Sequence, residues 1–178
     1  MSYIKESCEA STLYSIDARC EQSIGGIKRI LIIARDNIDK VTVDENGQIT
    51  AITTVASAKF EQWKFRRNTG SYTSTVTSDV SIGNSFATTE VNLQFSKAEA
   101  QKRLAIQNAI NAGSVVIVEA VNGESIYLGY DNEVVITSAV MQSGTANTDL
   151  NGFTLTLQDV SAELPRFLSG VDLNSLTA

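Results

Sequence analysis

Histidine is absent from this sequence, and its absence removes several classes of chemistry. Imidazole titrates near pH 7 without perturbation, serves as the base in Ser-His-Asp and Cys-His systems, and is a frequent metal ligand. Most hydrolase and metalloenzyme designs are therefore excluded. An enzyme of this composition would depend on carboxylate, Lys, Tyr or Cys chemistry.

Proline and long apolar runs are also scarce. One Pro and 11 Gly among 178 residues lie far below the ~25% share that these residues reach in low-complexity chains, so a folded chain is expected. No segment approaches the ~18 consecutive apolar residues of a membrane span. Because the first eight residues also lack the apolar run of a signal peptide, we expect a chain that is made and folds in the cytoplasm.

The two cysteines, Cys8 and Cys20, match neither a four-ligand zinc pattern nor a C-x-x-C redox motif. Free thiols are expected in the cytoplasm, and a disulfide between the two residues is the alternative. Arg19 is weak support for a thiolate at Cys20, and the chain has no imidazole to assist it. Neither cysteine is predicted to be a nucleophile.

Charged residues are few, at 19%, and the formal net charge is −6. An acidic chain lacks the basic footprint that nucleic-acid binding requires. Ser and Thr instead fill 36 positions, a composition typical of β-proteins with a hydroxyl-rich surface. No linker or internal repeat divides the chain, so we expect one domain spanning residues 1–178.

Strand patterns dominate the sequence. The apolar run 29–34 predicts a strand buried on both faces, and Gly25-Gly26 before it predicts a turn rather than a phosphate-binding loop. Asn46-Gly47 and Asn122-Gly123 each separate two β-branched segments, and this dipeptide predicts hairpins with type I′ turns.

A long ribbon, one helix and a tail complete the predicted elements. The ribbon is expected over about residues 59–95, with its turn near residues 82–84 and a strictly alternating limb at 89–95. A capping box of Ser96 and Glu99 predicts a helix over about residues 97–112, with Gly113 as its C′ residue. The alanine-rich face of this helix either covers a sheet or meets a neighbouring subunit. Residues 160–178 are expected to form a surface tail.

Several residues have the chemistry of a site but are better explained by other roles. Phe60, Trp63 and Phe65 alternate with cations in a pattern that resembles a base-stacking surface, but in an acidic chain these cations more often flank a subunit contact or face solvent. The cations concerned are Lys59, Lys64, Arg66 and Arg67. The carboxylates considered for acid–base catalysis, all beside turn-forming residues, are Asp36, Asp39, Asp44, Glu45, Asp131 and Glu133.

Turn chemistry accounts for each of these carboxylates, and Asp44 with Glu45 lacks the five or six oxygen ligands of a calcium loop. The sequence therefore predicts no catalytic, cofactor-binding or metal-ligating residue, and no cofactor. The positive signal is a hydroxyl-rich ribbon with few charges to prevent edge-to-edge pairing, which favours a role in assembly.

Six segments in a fixed order carry a family resemblance. They are residues 20–34, 47–52, 65–74, 93–95, 127–130 and 152–158. This ordered set, which covers most of residues 8–160, resembles virion tail proteins of tailed bacteriophages, especially those of Bacteroidales hosts, including the crAss-like group.

The resemblance implies a tail-tube-like fold, an antiparallel β-sandwich or part-barrel with one flanking helix and an extended hairpin that reaches a neighbouring subunit. It implies a non-enzymatic virion protein of the tail or neck that forms a homo-oligomeric ring or tube. Its partners would be copies of itself, adjacent tail, neck or portal proteins, and DNA passing through the lumen without sequence-specific binding. The alternatives are a pilus, sheath or capsid-decoration component, a small-ligand-binding β-barrel, or an enzyme of an unfamiliar kind.

Overall fold

The computed structural model describes residues 15–16, 23–79 and 81–178, which form three antiparallel sheets and one main helix. The prediction of a mainly β, antiparallel fold with one flanking helix is confirmed, and the sheets have a sandwich-like arrangement. The strands of the described residues are β1 (Ile27–Ala34), β2 (Ile38–Val43), β3 (Ile49–Thr54), β4 (Glu61–Lys64), β5 (Gly70–Asp79), β6 (Asn84–Ser96), β7 (Ser114–Ala120), β8 (Ser125–Leu128), β9 (Val135–Gln142), β10 (Gly152–Ser161) and β11 (Arg166–Phe167). The helices there are α1 (Ala100–Asn111) and the short α2 (Leu173–Leu176).

The central sheet has the strand order β11-β8-β7-β1-β4 and is covered on both faces. Successive side chains of a strand point to opposite faces, so Ile30 and Ile32 enter one core while Leu31 and Ile33 enter the other. All four side chains are buried. The apolar run 29–34 thus forms the doubly buried strand that its composition predicts.

Two hydrophobic cores lie on opposite sides of the central sheet. The first core lies between the central sheet and a four-stranded sheet with the order β5-β6-β10-β9. It also contains Ile106 of α1. The second core lies beneath the two-stranded β2–β3 hairpin and contains the fully buried Phe60. The β-sheets are therefore arranged in three layers, with the central sheet in the middle.

Both predicted Asn-Gly hairpins are confirmed, but the prediction of type I′ turns is wrong. Gly47 and Gly123 have φ angles of 78° and 93°, whereas neither preceding Asn has a positive φ. The Gly47 amide donates to the Asp44 carbonyl at 3.1 Å. This geometry is a type I turn followed by a left-handed glycine, so only the glycine needs conformational freedom.

The ribbon is shorter than the predicted range of 59–95. Its two strands are β5 and β6, and the turn between them contains Gly83, with a φ of 65°, where a turn was expected. The preceding segment, β4, pairs instead with β1 in the central sheet, with Trp63 opposite Ile30. The reason is hydrophobic: Phe60 is buried and Trp63 packs against the first core, whereas β5 has no comparable apolar face to bury.

The returning strand β6 has the predicted alternation. Val91, Leu93 and Phe95 are buried in the first core, while Glu90 and Asn92 are exposed on the opposite face. Burial of every second side chain fixes the register of this strand, because a slip by one residue would expose the apolar set.

The helix is confirmed and Gly113 follows its C-cap residue, Ala112, as predicted, but the predicted capping box is wrong. Ser96 ends β6, and α1 begins at Ala100 with Glu99 as an N-cap that makes no side-chain capping bond. The Glu99 carboxylate instead pairs with Lys97 and Lys102, at 3.0 Å each. Gly113 lacks the left-handed φ of a glycine cap. A Cβ at this residue would lie 3.1 Å from Glu133 Cβ and would force the carboxylate end of that side chain to move.

The segment predicted as a surface tail, residues 160–178, lies largely at the surface, but it packs on its own chain. Residues up to Ser161 belong to β10, and β11 pairs with β8. Leu168, Leu173 and Leu176 pack against the second core. The Phe60 amide donates to the Leu176 carbonyl at 2.9 Å. Apolar residues near the end of the chain therefore complete a core of this subunit. Cys8 and Cys20 lie outside the described residues, so the prediction about their thiols stays open.

Candidate functional site

The four-stranded sheet carries an unusual set of charges. Every residue of β5, β6, β9 and β10 is described, and none of them is Lys or Arg. The carboxylates of these strands are Asp79, Glu90 and Asp159. Asp159 is buried beneath the sheet, so Glu90 is the carboxylate nearest the middle of the outer face.

The outer face of this sheet, the face turned away from the first core, consists mainly of hydroxyl and amide side chains. Thr156 Oγ1 donates to Asn92 Oδ1 across the β6–β10 pair at 2.8 Å. Gln158 Nε2 donates to Glu90 Oε1 at 3.5 Å. The central residues of this face are Thr73, Thr75, Thr88, Glu90, Asn92, Thr154, Thr156, Gln158 and Ser138.

Both edge strands of the sheet are exposed. Eight of the ten residues of β5 are exposed, and Gly70 and Ser74 are half-buried. Every residue of β9 is exposed except the half-buried Ile136. In the described part of the chain, each edge strand pairs on one side alone, β5 with β6 and β9 with β10. Neither strand has an inward charge, a Pro or a Lys, the residues with which proteins commonly block an open edge.

The end of the β5–β6 ribbon projects past the rest of the sheet. Strand β10 ends at Ser161, opposite Ala87, so Thr77–Asp79 and Asn84–Phe86 pair only with each other among the described residues. We call residues 76–79 and 81–86 the ribbon tip. Its described apolar side chains are exposed by 53% at Val76, 72% at Ile82 and 39% at Phe86.

The ribbon tip also carries one carboxylate. Asp79 Oδ1 accepts hydrogen bonds from the Ser81 hydroxyl at 2.5 Å and the Ser81 amide at 2.9 Å. These bonds, led by that of the hydroxyl, hold the pKa of Asp79 below its usual range. The tip is therefore apolar and negatively charged.

A groove lies between α1 and the outer edge of β4. It consists of two adjoining cavities of about 430 and 170 Å³, which share Trp63 and Ala105 as lining residues. Ile33 and Ala109 add apolar surface to the larger cavity. Trp63 and Phe65 each meet the ring of Phe95 edge to face, with centroids 5.8 and 6.0 Å apart. These aromatic residues thus support the fold and are not free to stack on bases.

The rim of this β4–α1 groove has a net positive charge. Its charged lining residues are Lys59, Glu61, Lys64 and Lys102. Lys59 Nζ donates to the Ser175 carbonyl at 2.5 Å, and Lys102 Nζ to the Ser96 carbonyl at 2.8 Å. No hydrogen bond or ion pair engages Lys64 Nζ within residues 23–79 and 81–178. Of the four cations at residues 59–67, Lys59 and Lys64 therefore lie beside the groove, whereas Arg66 and Arg67 do not line it.

A buried carboxylate, Asp159, was missed in the sequence analysis. It is 2% exposed, and its Oδ1 has no hydrogen-bond partner among the described residues. Burial is the main cause that raises its pKa to about 6; the Gly129 amide opposes this shift and the negative charge of Asp131 adds to it. The signal was present in the sequence, because Asp159 is in phase with Phe153, Leu155 and Leu157 along β10.

The carboxylates considered for catalysis do not form a cluster. Asp44 Oδ1 accepts the amides of Asn46 and Gln48 at 2.9 and 2.8 Å, as turn chemistry predicts. Asp131 Oδ2 accepts the Ala162 amide at 2.9 Å, and its neighbour Asp159 lines the same cavity of about 90 Å³. Asp36, Asp39 and Glu45 are exposed at other positions. The described residues contain no group of three or more side chains suited to hold a metal ion.

Within the described part of the chain, neither helix has the length and apolar character needed to cross a membrane. Comparison of the sequence with protein-family models and with curated proteins finds no match.

Proposed function

We propose that this chain is a structural protein of a bacteriophage virion, which assembles into a ring or tube of the tail or neck and forms part of the conduit for DNA and cargo proteins. The observation that carries the proposal is the four-stranded sheet, which combines two edges left open by the described residues with strands that contain no Lys or Arg. The ordered resemblance to tailed-phage virion proteins supports the same role.

The strand order favours lateral assembly of copies in one orientation. Strands β5, β6, β10 and β9 alternate in direction, so β5 and β9 run opposite to each other. If β9 of one copy meets β5 of the next, the pairing is antiparallel and every copy keeps the same orientation. A head-to-tail contact of this kind closes into a ring when the rotation between copies permits it.

The outer face of the sheet would then line the lumen. DNA is held by a basic surface because Lys and Arg release its condensed counterions. Hydroxyl and amide groups have no such effect, and Glu90 repels phosphate. A wall of this chemistry lets the duplex slide, so the proposed role requires neither catalysis nor a cofactor.

The remaining parts of the proposal follow from this position. The chain would be made in the host cytoplasm and would reside in the virion tail or neck. Its partners would be copies of itself and adjacent tail, neck or portal proteins, with DNA passing through without sequence-specific contacts.

Assembly is tested by size-exclusion chromatography and negative-stain microscopy of the purified full chain at increasing concentration. Rings with an open lumen are expected. The double variant Thr75→Lys/Ser138→Lys places one cation on each edge strand and should prevent assembly, because like charges oppose pairing of the edges. Thr42→Lys, on an exposed position of β2, is the matched control and should assemble normally.

A chain that stays monomeric at high concentration contradicts the proposal. A filament without a lumen would favour the second candidate, a pilus, sheath or capsid-decoration component, because open edges serve that role equally well.

The lumen assignment has a separate test in rings that have formed. Thr154→Lys adds a cation to the outer face on a central strand and leaves both edges unchanged. Variant rings should bind double-stranded DNA with a steep salt dependence, whereas wild-type and Thr42→Lys rings should bind weakly. Equal binding by all three would contradict the assignment of this face to the lumen.

A further inference from the structure

The ribbon tip and the β4–α1 groove lie at opposite ends of β6. The tip includes Asn84, where the strand begins, and Phe95, near its end, lines the groove. Eleven residue steps of extended strand separate these positions by roughly 36 Å. The tip of one chain therefore cannot enter its own groove.

The two surfaces have complementary properties. The tip presents exposed apolar side chains and the carboxylate of Asp79. The groove presents an apolar lining with Trp63 and Ala105. Lys102 at its rim is paired with Glu99, which leaves Lys59 and Lys64 against Glu61 and a net positive charge. Apolar burial supplies affinity, and opposite charges favour one register over others.

We infer that the β4–α1 groove is the docking site for the ribbon tip of a second copy of this chain. Ile82 fills the apolar part of the groove, and Asp79 faces Lys64 at its rim. Because the two surfaces are different patches of one molecule, the contact is head-to-tail. It displaces the second copy along the strand direction and is therefore distinct from the side-by-side contact between β5 and β9.

This inference rests on the proposed self-assembly, and disulfide crosslinking tests it independently. In a Cys8→Ser/Cys20→Ser background, Ile82→Cys is combined with Ala105→Cys, an exposed residue that lines both cavities. Oxidation of the assembled protein should give a ladder of covalent multimers on a denaturing gel. The matched pair Ile82→Cys/Thr154→Cys, with the second cysteine on the outer face, should give none.

Each other outcome has a defined meaning. Assembly without a ladder, or equal ladders from both pairs, overturns tip docking and leaves the proposed function standing. Absence of assembly in the unmodified chain overturns both. Ala105→Cys alone, with the native cysteines retained, probes another occupant: a crosslink to Cys8 or Cys20 would assign the groove to the N-terminal segment and overturn docking of the tip.

Two substitutions measure the contact without crosslinks. Ile82→Ser should raise the concentration needed for assembly at least tenfold, since burial of an isoleucine side chain contributes roughly 1.5–3 kcal/mol. Leu164→Ser, at a comparably exposed leucine outside both surfaces, is the control and should change it less than twofold. An equal response of the two variants contradicts the assignment of Ile82.

The ion pair is tested by a double-mutant cycle. Asp79→Asn keeps an oxygen that accepts the Ser81 hydrogen bonds and removes the charge, and Lys64→Gln removes the opposite charge. Each single variant should raise the concentration needed for assembly about two- to fivefold. The double variant should raise it no further than the more affected single variant does, because the loss of either charge already removes the ion pair. Additive effects would overturn the pairing of these two residues.

Discussion

The central sheet and the four-stranded sheet use the same secondary structure under opposite constraints. In the central sheet, β1 and β7 have apolar side chains on both faces, and every large apolar side chain of these strands meets a core. In the four-stranded sheet, β6 and β10 are apolar on one face and carry hydroxyls and amides on the other. Strands β1 and β7 thus serve the stability of the subunit, whereas among the described residues the four-stranded sheet leaves one face and both edges uncovered.

The two sheets also differ in how their charged side chains are paired. Glu119 of β7 accepts a hydrogen bond from Lys28 Nζ at 2.7 Å and another from Arg29, both of β1. Burial opposes ionisation of this carboxyl, but the two cations hold its pKa below the usual range. The four-stranded sheet has no cation to offer its carboxylates. The charges of β1 and β7 are thus paired within the subunit, whereas the strands of the other sheet hold carboxylates and no cation.

The largest contrast is expected from truncating one side chain in each sheet. Ile30→Ala in the doubly buried β1 should lower the free energy of unfolding by about 2–5 kcal/mol, through lost burial and a residual cavity. Thr154→Ala on the outer face should change it by less than about 0.5 kcal/mol. Urea unfolding of both variants measures the difference, and similar losses would remove the distinction between the sheets.

The next effect concerns the buried carboxylate of the four-stranded sheet. Because the folded pKa of Asp159, about 6, lies above its unfolded value, the protonated group favours the folded state. Stability contributed by protonation is present below pH 4 and is lost as the pH rises through 6. Asp159→Asn, which is neutral throughout, should therefore gain about 2–3 kcal/mol on the wild type between pH 4 and pH 8.

Thermal unfolding of both proteins across this pH range provides the measurement, since subtracting the two curves cancels the titration of all other groups. Parallel curves would mean that Asp159 stays ionised in the fold and that the sheet tolerates its charge.

The smallest effect compares two turns. Gly47 and Gly83 both have left-handed backbones, with φ of 78° and 65°, so alanine should cost about 1–2 kcal/mol at either residue. A Cβ at Gly47 would also lie 3.0 Å from Arg166 Nη1, which donates to the Gly47 carbonyl, whereas the space around Gly83 is open. Gly47→Ala should therefore be the more destabilising in urea unfolding, and the reverse order would contradict this account of the two turns.

Local patterns predicted the elements whose contacts are determined by nearby residues. The alternation of residues 89–95 and the Asn-Gly turns fall in this class, because strand faces and turns depend on a few neighbours. The position of β4 and the packing of residues 160–178 depend on distant partners. Phe60 and Leu176 are adjacent only in the folded chain, so no local signal could pair them.

The site was predictable to a similar extent. Hydroxyl-rich strands and their poorly protected edges follow from composition, since Ser and Thr fill so many positions of the ribbon. The β4–α1 groove does not, because it requires the pairing of β4 with β1 and the packing of α1 beside it. Asp159 was predictable in part. Its alternation with the apolar residues of β10 indicates that its side chain points toward the core, but its raised pKa depends on burial in the folded chain and on the nearby Asp131.

The hydroxyls and amides of the outer face have a consequence for the range of conditions in which the surface operates. Ser, Thr, Asn and Gln neither gain nor lose protons in ordinary aqueous solution, and the whole sequence contains no histidine. These side chains therefore carry the same charge in neutral and in mildly acidic media. A change in the electrical potential of this sheet near pH 6 would come from the single carboxylate of Asp159 beneath it, which makes that buried residue the one acid-responsive element behind an otherwise inert surface.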